Sequence, residues 1–354
     1  MRKIKKQCER EITIRDIARI CGVGVSTVSR AINNQPDINP ETKQMILRAI
    51  KRYGYIPNTN ARDLRKSDGK CVAVIVKGLY NPLLAEAIQI MEEEIKRRAY
   101  ATVVRYVNFD ENEASVALEL SKREKLSGII FLGGFFSDGD QRLKKIKVPF
   151  VLSTSECKLD EGAGKKYTTL SVDNEKESYR MTEYLIELGH RKIAVLSGIP
   201  DEASIGKLRL EGYKRALKDY GVQMDESLIL PMKKESAFYS MENGYLMAKE
   251  LLESGRKFTC LYAFSDAMAI GACRAIADVG RKIPDDYSVA GFDGIEIGNF
   301  YNPKLTTIRQ PVHDIARESV DALMKLLEGE KTYIHRVFQG TLEKRESTKH
   351  YSVK

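Results

Sequence analysis

From Thr13 to Asn33 the apolar positions fall into two helical stripes with glycine between them. Ile14, Ile17 and Ala18 share one face of a first helix, and Thr13 with Asp16 three residues on forms a capping box at its start. Gly22 breaks that helix, Val23 plugs the turn, and a second helix from about Val25 to Asn33 buries Val28 and Ile32 while Ser26, Thr27, Ser29 and Arg30 face mostly outward. Asn39 as N-cap, Pro40 at the first helical position and Glu41 in the first turn announce a third helix. Its apolar face is Ile46, Leu47, Ile50 and Tyr53, and Gly54 stops it. This spacing predicts a small all-α helix-turn-helix bundle.

Beyond residue 70 the pattern changes to strand-length apolar runs alternating with helical faces. Residues 71–76, 102–107, 128–132 and 149–152 read as buried strands, and Leu84, Ala87, Ile88, Met91 and Ile95 line one face of a helix over 83–98. A second series follows, with strands near 170–172, 193–197, 259–264 and 288–292 and helices near 176–188, 208–220, 241–253 and 266–279. Two βα arrays without a separating Pro- or Gly-rich linker predict an α/β core of two doubly wound parallel-sheet subdomains. A ligand of such a core binds in the cleft outside the carboxyl ends of the strands.

Charge separates the two parts. Residues 1–70 hold 16 Lys and Arg against 7 Asp and Glu, which is the whole of the net +9, while residues 71–354 balance at 42 against 42. A compact basic module suits a polyphosphate partner, because each neutralised phosphate releases condensed counterions. A helix-turn-helix meets that partner by laying its second helix in the major groove, where Ser26, Ser29 and Arg30 can read base edges.

The rest of the composition argues against other classes. The six cysteines, at 8, 21, 71, 157, 260 and 273, form no CxxC pair and read as reduced thiols, several within apolar runs. The four histidines are far apart, outside any metalloprotease or nucleophile motif, and His190 after Gly189 is placed to donate to the last carbonyls of helix 176–188. Gly22-Val-Gly24 lacks the third glycine of a dinucleotide loop, with Thr27 in its place and no strand upstream; Asp285-Asp286 reads as a solvated turn. No enzyme, cofactor or metal is expected. The apolar stretches fall far short of the ~18 residues of a membrane span, and no apolar segment follows the basic Met1–Lys6, so a cytoplasmic chain without a secretory signal or membrane partner is expected.

With these motifs in place, the chain resembles the lactose/galactose repressor (LacI/GalR) family. The markers are Thr13-Ile-Arg-Asp-Ile-Ala18, Thr27-Val-Ser-Arg30, Asn33, Tyr55-Ile-Pro-Asn58, Ala61 and Leu64, then 189–198, Arg209-Leu-Glu-Gly-Tyr213, 265–271, Val289-Ala-Gly-Phe-Asp293 and 303–308. The resemblance implies a helix-turn-helix headpiece at 12–57, a hinge at 58–68 and a periplasmic-binding-protein-like core. In that core 70–170 with 304–329 would form the N-terminal subdomain and 171–303 with 330–348 the C-terminal one, the chain crossing near 171, 303 and 330. Operator double-stranded DNA, a sugar-type effector and a second copy of the chain are the implied partners, and repression of carbohydrate-utilisation genes the implied role. A solute-binding protein for sugar uptake, sharing the core but lacking DNA function, is the alternative.

Site residues follow from the same resemblance. Thr13, Val25, Ser26, Thr27, Ser29, Arg30 and Asn33 would meet DNA; in the hinge Asn58 and Ala61 would flank the minor groove and Leu64 would wedge between base steps. Arg209 and Asp293 would face each other across the effector cleft. By their own positions, Ser265 and Asp266 at a strand end and Tyr239 or Phe238 in a helix-entry loop are candidates for one wall, and Tyr80, Asn81 and Leu83 after strand 71–76 for the other, with capping of the following helix the alternative role of Asp266. Gly24 stands where the family usually places serine, and Val25 and Ser26 occupy variable reading positions, so the operator sequence is not legible.

Overall fold

The computed structural model describes residues 12–32, 38–53, 70–78, 80–108, 111–134, 136, 141–155, 167–199, 205–234 and 236–352. Asn33, Gly54, Asn58, Ala61, Leu64, Cys8 and Cys157, and with them the expected hinge, lie outside these residues. The chain divides into two units, Met1–Asp68 and Gly69–Lys354.

The first unit is a three-helix bundle. Helix α1 (Ile14–Cys21) starts at Thr13, where the predicted capping box forms, and ends at Gly22, whose φ of 65° lets its amide reach back to the carbonyls of Ala18 and Arg19. Helix α2 (Val25–Ile32) follows after one turn, and α3 (Pro40–Tyr53) is capped by Asn39, whose Oδ1 accepts from Glu41 N at 2.9 Å. Ile17, Ala18, Val28, Ala31 and Ile46 form the core, with Ile32 and Ile50 packed on its edge. Leu47 and Tyr53, predicted for the buried face of α3, are instead exposed. The face runs through Ile46, Ala49 and Ile50, where alanine permits close approach, and α3 at 14 residues outruns the two 8-residue helices it packs on.

The second unit holds two six-stranded sheets. In the N-terminal lobe β1 (Cys71–Lys77), β2 (Ala101–Val107), β3 (Gly128–Gly133), β4 (Phe150–Ser153), β5 (Thr168–Val172) and β11 (His335–Phe338) run parallel in the order β11-β5-β4-β3-β1-β2. Val74 pairs with Val104 on one side and Ile130 on the other. Residues 71–76 are buried on both faces, as a parallel strand under two helical layers must be. One layer is α4 (Pro82–Arg97) with α11 (Val312–Leu327), and the other contains α5 (Glu113–Arg123). The C-terminal lobe orders β6 (Ile193–Leu196), β7 (Ile229–Leu230), β8 (Cys260–Ala263), β9 (Ser288–Asp293), β10 (Thr306–Arg309) and β12 (Thr341–Glu343) as β12-β10-β9-β8-β6-β7, with only β12 antiparallel. Helices α6 (Asn174–Glu187), α7 (Ile205–Asp219), α8 (Met241–Glu253) and α9 (Asp266–Asp278) cover it as the pairs α6/α7 and α8/α9. A short α10 (Ile297–Phe300) precedes β10.

The lobe boundaries differ from those expected. Strand β10 pairs with β9, so 304–309 belongs to the C-terminal lobe, and the second crossing lies at Gln310–Pro311 rather than 303. Strand β11 pairs with β5, so 330–338 belongs to the N-terminal lobe, and the third crossing falls just before β12 rather than at 330. Both errors come from short strands whose sheet is decided by pairing and not by local pattern.

Each crossing is pinned by a buried polar side chain. Asn174 donates to Val172 O at 3.1 Å; Gln310 donates to Asp293 Oδ1 at 2.7 Å; Glu177 accepts from Gly340 N at 3.0 Å.

Candidate functional site

In the headpiece the second helix presents a polar face. Gly24 O accepts from Thr27 N and Val28 N at 3.0 and 3.1 Å, which starts α2. Val25, Ser26 and Arg30 are exposed, Thr27 and Ser29 half-buried, and Val28 and Ala31 turn inward. Thr13 serves α1 as its cap.

In the core, a cavity of about 420 Å³ lies between the lobes at the carboxyl ends of the strands. The N-terminal lobe contributes Lys77, Tyr80, Asn81, Leu83, Leu84, Tyr106, Asn108, Gly133, Gly134 and Thr154; the other contributes Arg209, Lys234, Phe238, Tyr239, Asp293 and Gln310.

Arg209 and Asp293 both belong to the C-terminal lobe and do not face each other across the cleft. They touch on one wall, with Nη2 3.6 Å from Oδ1 and both side chains nearly fully buried. The guanidinium lies 3.6 Å above the Phe292 ring, donates from Nε to Asn174 Oδ1 at 3.0 Å and from Nη1 to Phe264 O. The Asp293 carboxylate takes Gln310 on Oδ1 and, from the other lobe, Asn81 Nδ2 on Oδ2 at 2.9 Å. Burial raises the Asp293 carboxyl above its ordinary range, against the pull of Arg209, Asn81 and Gln310. Asn81 also caps α4, its Oδ1 accepting from Leu83 N at 3.0 Å. One side chain thus fixes a helix start and bridges the lobes.

Ser265 and Asp266, expected on the cleft wall, do not line the cavity. Ser265 caps α9 by accepting from Met268 N. Asp266 is fully buried beneath the loop after β9, where it accepts from Gly294 N, Ile295 N and Thr307 Oγ1 at 2.7, 2.9 and 2.7 Å. Burial, and after it the charge of Asp293, pushes its carboxyl up to about 8. It supports the loop that carries Asp293.

His190 also differs from its expected role. Its ring meets Thr259, Ser288 and Lys349 O at 2.8, 3.1 and 3.2 Å, and burial pushes its pKa down to about 4. Arg191, one residue on, donates to Ile186 O at the helix end.

Lys77, Tyr106, Asn108, Lys234 and Gln310 were not legible as site residues. All but Lys234 sit within one residue of the carboxyl ends of β1, β2 and β10, so the strand-end rule, applied to every strand, would have found those on strands that the sequence pattern reveals. Lys77 donates to Glu111 O at 3.0 Å and pairs with the buried Glu113 at 3.3 Å.

Comparison with known proteins decides the family. The profile for bacterial regulatory proteins of the lacI family matches residues 13–58, and that for a periplasmic binding protein-like domain matches 182–348. The HTH-type transcriptional regulator MalR of Clostridium butyricum is 36% identical over 340 residues, covering 95% of this chain and 99% of that protein. The chain belongs to the lacI family. This lacI-family protein is a DNA-binding transcriptional regulator, and its fold agrees with solved relatives. A transcriptional regulator CelR–cellobiose complex matches at 27% identity with a TM-score of 0.68 over 95% of this chain and all of that one. A ribose-bound lacI-family regulator from Enterococcus faecium matches at 27% and 0.68 over 80% of this chain and all of that one. Among the described residues no helix is long and apolar enough to cross a membrane.

Proposed function

We propose that this regulator acts in the cytoplasm as a homodimer that represses carbohydrate-utilisation genes, and that a sugar or sugar derivative in the interlobe cavity changes its operator affinity. The observation that carries the reading is the bond from Asn81 of one lobe to Asp293 of the other, inside a cavity lined by both. A ligand that engages Asp293 must compete with, or extend, the contact joining the lobes, and an effector acts only through its differential affinity for lobe arrangements. The planar fork of Arg209 and the carboxylate of Asp293 suit hydroxyl groups, and cellobiose and ribose are bound by the two solved relatives. The helical headpiece favours this reading over a solute-binding protein.

In the headpiece, base reading falls to Val25, Ser26, Ser29 and Arg30 on α2, and Thr13, Thr27 and Asn33 are the further DNA contacts of this reading. Asn58, Ala61 and Leu64 would complete the contact in the minor groove.

Operator titration of the full-length protein tests both halves. Arg30→Ala is expected to cost about 1–3 kcal/mol and to relax one base position per half-site. Asp293→Asn is expected to lose the response to sugar while keeping operator affinity in its absence. A variant at 293 that still responds overturns the effector reading, and a monomer by sedimentation at micromolar concentration overturns the dimer.

A further inference from the structure

The core is neutral overall, yet its cations are not evenly spread. Because β1, β2, β3, β4, β5 and β11 run parallel, their amino ends share one edge of the N-terminal sheet, opposite the edge that lines the cavity. Backbone bonds from Ala101 N to Lys70 O, from Ser127 N to Cys71 O and from Ile129 N to Pro149 O join the entries to β2, β1, β3 and β4 into one row, with ~4.8 Å between neighbouring strands. The last turn of each helix and the loop into the next strand make up the described approaches to β1, β2, β3, β4 and β11, which are residues 70, 94–100, 120–127, 143–149 and 324–334. These hold twelve Lys and Arg against four Asp and Glu. The matching approaches to β6, β7, β8, β9 and β10, residues 184–192, 216–228, 250–259, 275–287 and 297–305, hold eight against nine. Helix ends favour cations, but both lobes have such ends, so the helix dipole does not account for the difference.

Part of the excess is neutralised in place. Arg97 and Arg98 pair with Glu93, Glu94 and Asp321, Arg123 pairs with Glu119, and Lys70 lies over the Tyr100 ring. Lys96 before β2, Lys122 and Lys125 before β3 and Lys147 before β4 are exposed and make no ion pair among the described residues. Exposed cations spread along one edge fit a polyphosphate, whose charges repeat and whose binding releases condensed counterions. The chain arrives from the headpiece at Lys70, in the same row. Residues 54–69 join it to α3, so the core is tethered to headpiece-bound DNA by this edge.

We propose that the amino edge of the N-terminal sheet is a second nucleic-acid contact, in which Lys96, Lys122, Lys125 and Lys147 meet backbone phosphates of the duplex held by the headpiece. Phosphates carry no base identity, so this contact adds electrostatic affinity to the base reading of α2 without changing which sequence is read.

Salt titration of the full-length protein on a random-sequence duplex of about 60 base pairs tests the edge, because each phosphate contact contributes ~0.9 to the slope of log affinity against log salt. The triple variant Lys122→Gln, Lys125→Gln, Lys147→Gln is expected to have a slope shallower by about two to three per bound chain. A second triple variant, Lys192→Gln, Lys257→Gln, Lys282→Gln, removes the same charge from exposed approaches to β6, β8 and β9 and should keep the wild-type slope. All six positions are exposed, so both variants should fold, and a thermal melt checks this. In the wild type the duplex should also protect Lys122, Lys125 and Lys147 from acetylation, read by mass spectrometry. Equal slopes for the two variants, or equal acetylation with and without the duplex, overturns the DNA contact and leaves this edge to an acidic protein surface.

Discussion

His190 shows how a buried side chain ties stability to pH. Its pKa is about 4 in the folded protein and about 6.5 in an unfolded chain. Above pH 6.5 neither state carries the proton. As pH falls from 6.5 to 4 the unfolded chain binds a proton that the folded one refuses, so His190 withdraws stability across that window, on the order of 3 kcal/mol at its lower edge. Asp266 and Asp293, whose carboxyls are raised, act with the opposite sign, so the test is a difference. Urea melts of wild type and His190→Gln should show a variant less stable at pH 7 and a gap that narrows toward pH 4; a gap constant with pH would contradict it. The sequence placed His190 after a helix-ending glycine but could not supply its partners, because Thr259, Ser288 and Lys349 lie 69, 98 and 159 residues away. Arg209 and Asp293 were legible through the family markers, whereas the displacement of Asp266 from the cleft depends on a loop packed over it.

At the scale of elements, the pairing of α8 with α9 depends on two glycines. A Cβ on Gly271 would stand 1.9 Å from Met241 O, and one on Gly244 would stand 2.1 Å from Met268 O. Backbone therefore meets backbone in both directions, and neither helix can yield without moving the other. Gly271→Ala improves helix propensity by about 1 kcal/mol and is nonetheless expected to destabilise by about 1–3 kcal/mol, because overpacking outweighs propensity. Thermal denaturation reads the sign directly. The long helices and the central strands were legible from period and composition. The strands β7, β10, β11 and β12 were not, since β7 has two residues and the other three mix polar with apolar positions, so their place is set by a neighbour.

At the scale of the whole core, the bond from Asn81 to Asp293 joins one lobe to the other. Asn81→Asp keeps an oxygen to cap α4 but sets a second carboxylate against Asp293, so the cap survives and the bridge becomes a repulsion. The expected result is a loss of about 1–3 kcal/mol at pH 7 that shrinks as the pair takes up a proton in acid. Melts of this variant beside Asn81→Ser, which also caps but adds no charge, check it: equal pH profiles would remove the bridge from the argument. The three-crossing path has one more consequence, for synthesis. Among the described residues the headpiece draws its core from the segment between Ile12 and Ile50. The N-terminal sheet lacks its edge strand until 335–338 exist, and the C-terminal sheet lacks its own until 341–343; the segment beyond closes the lobe through Ser347, which bonds Val289, and Tyr351, which bonds Leu188. At ~5–20 residues per second, the roughly 300 residues between headpiece and closing segment take about 15–60 s to emerge from a ribosome. For that interval a nascent chain carries a finished DNA-reading module and two open sheets, and a message cut short at residue 330 yields a protein whose sensor has neither lobe complete.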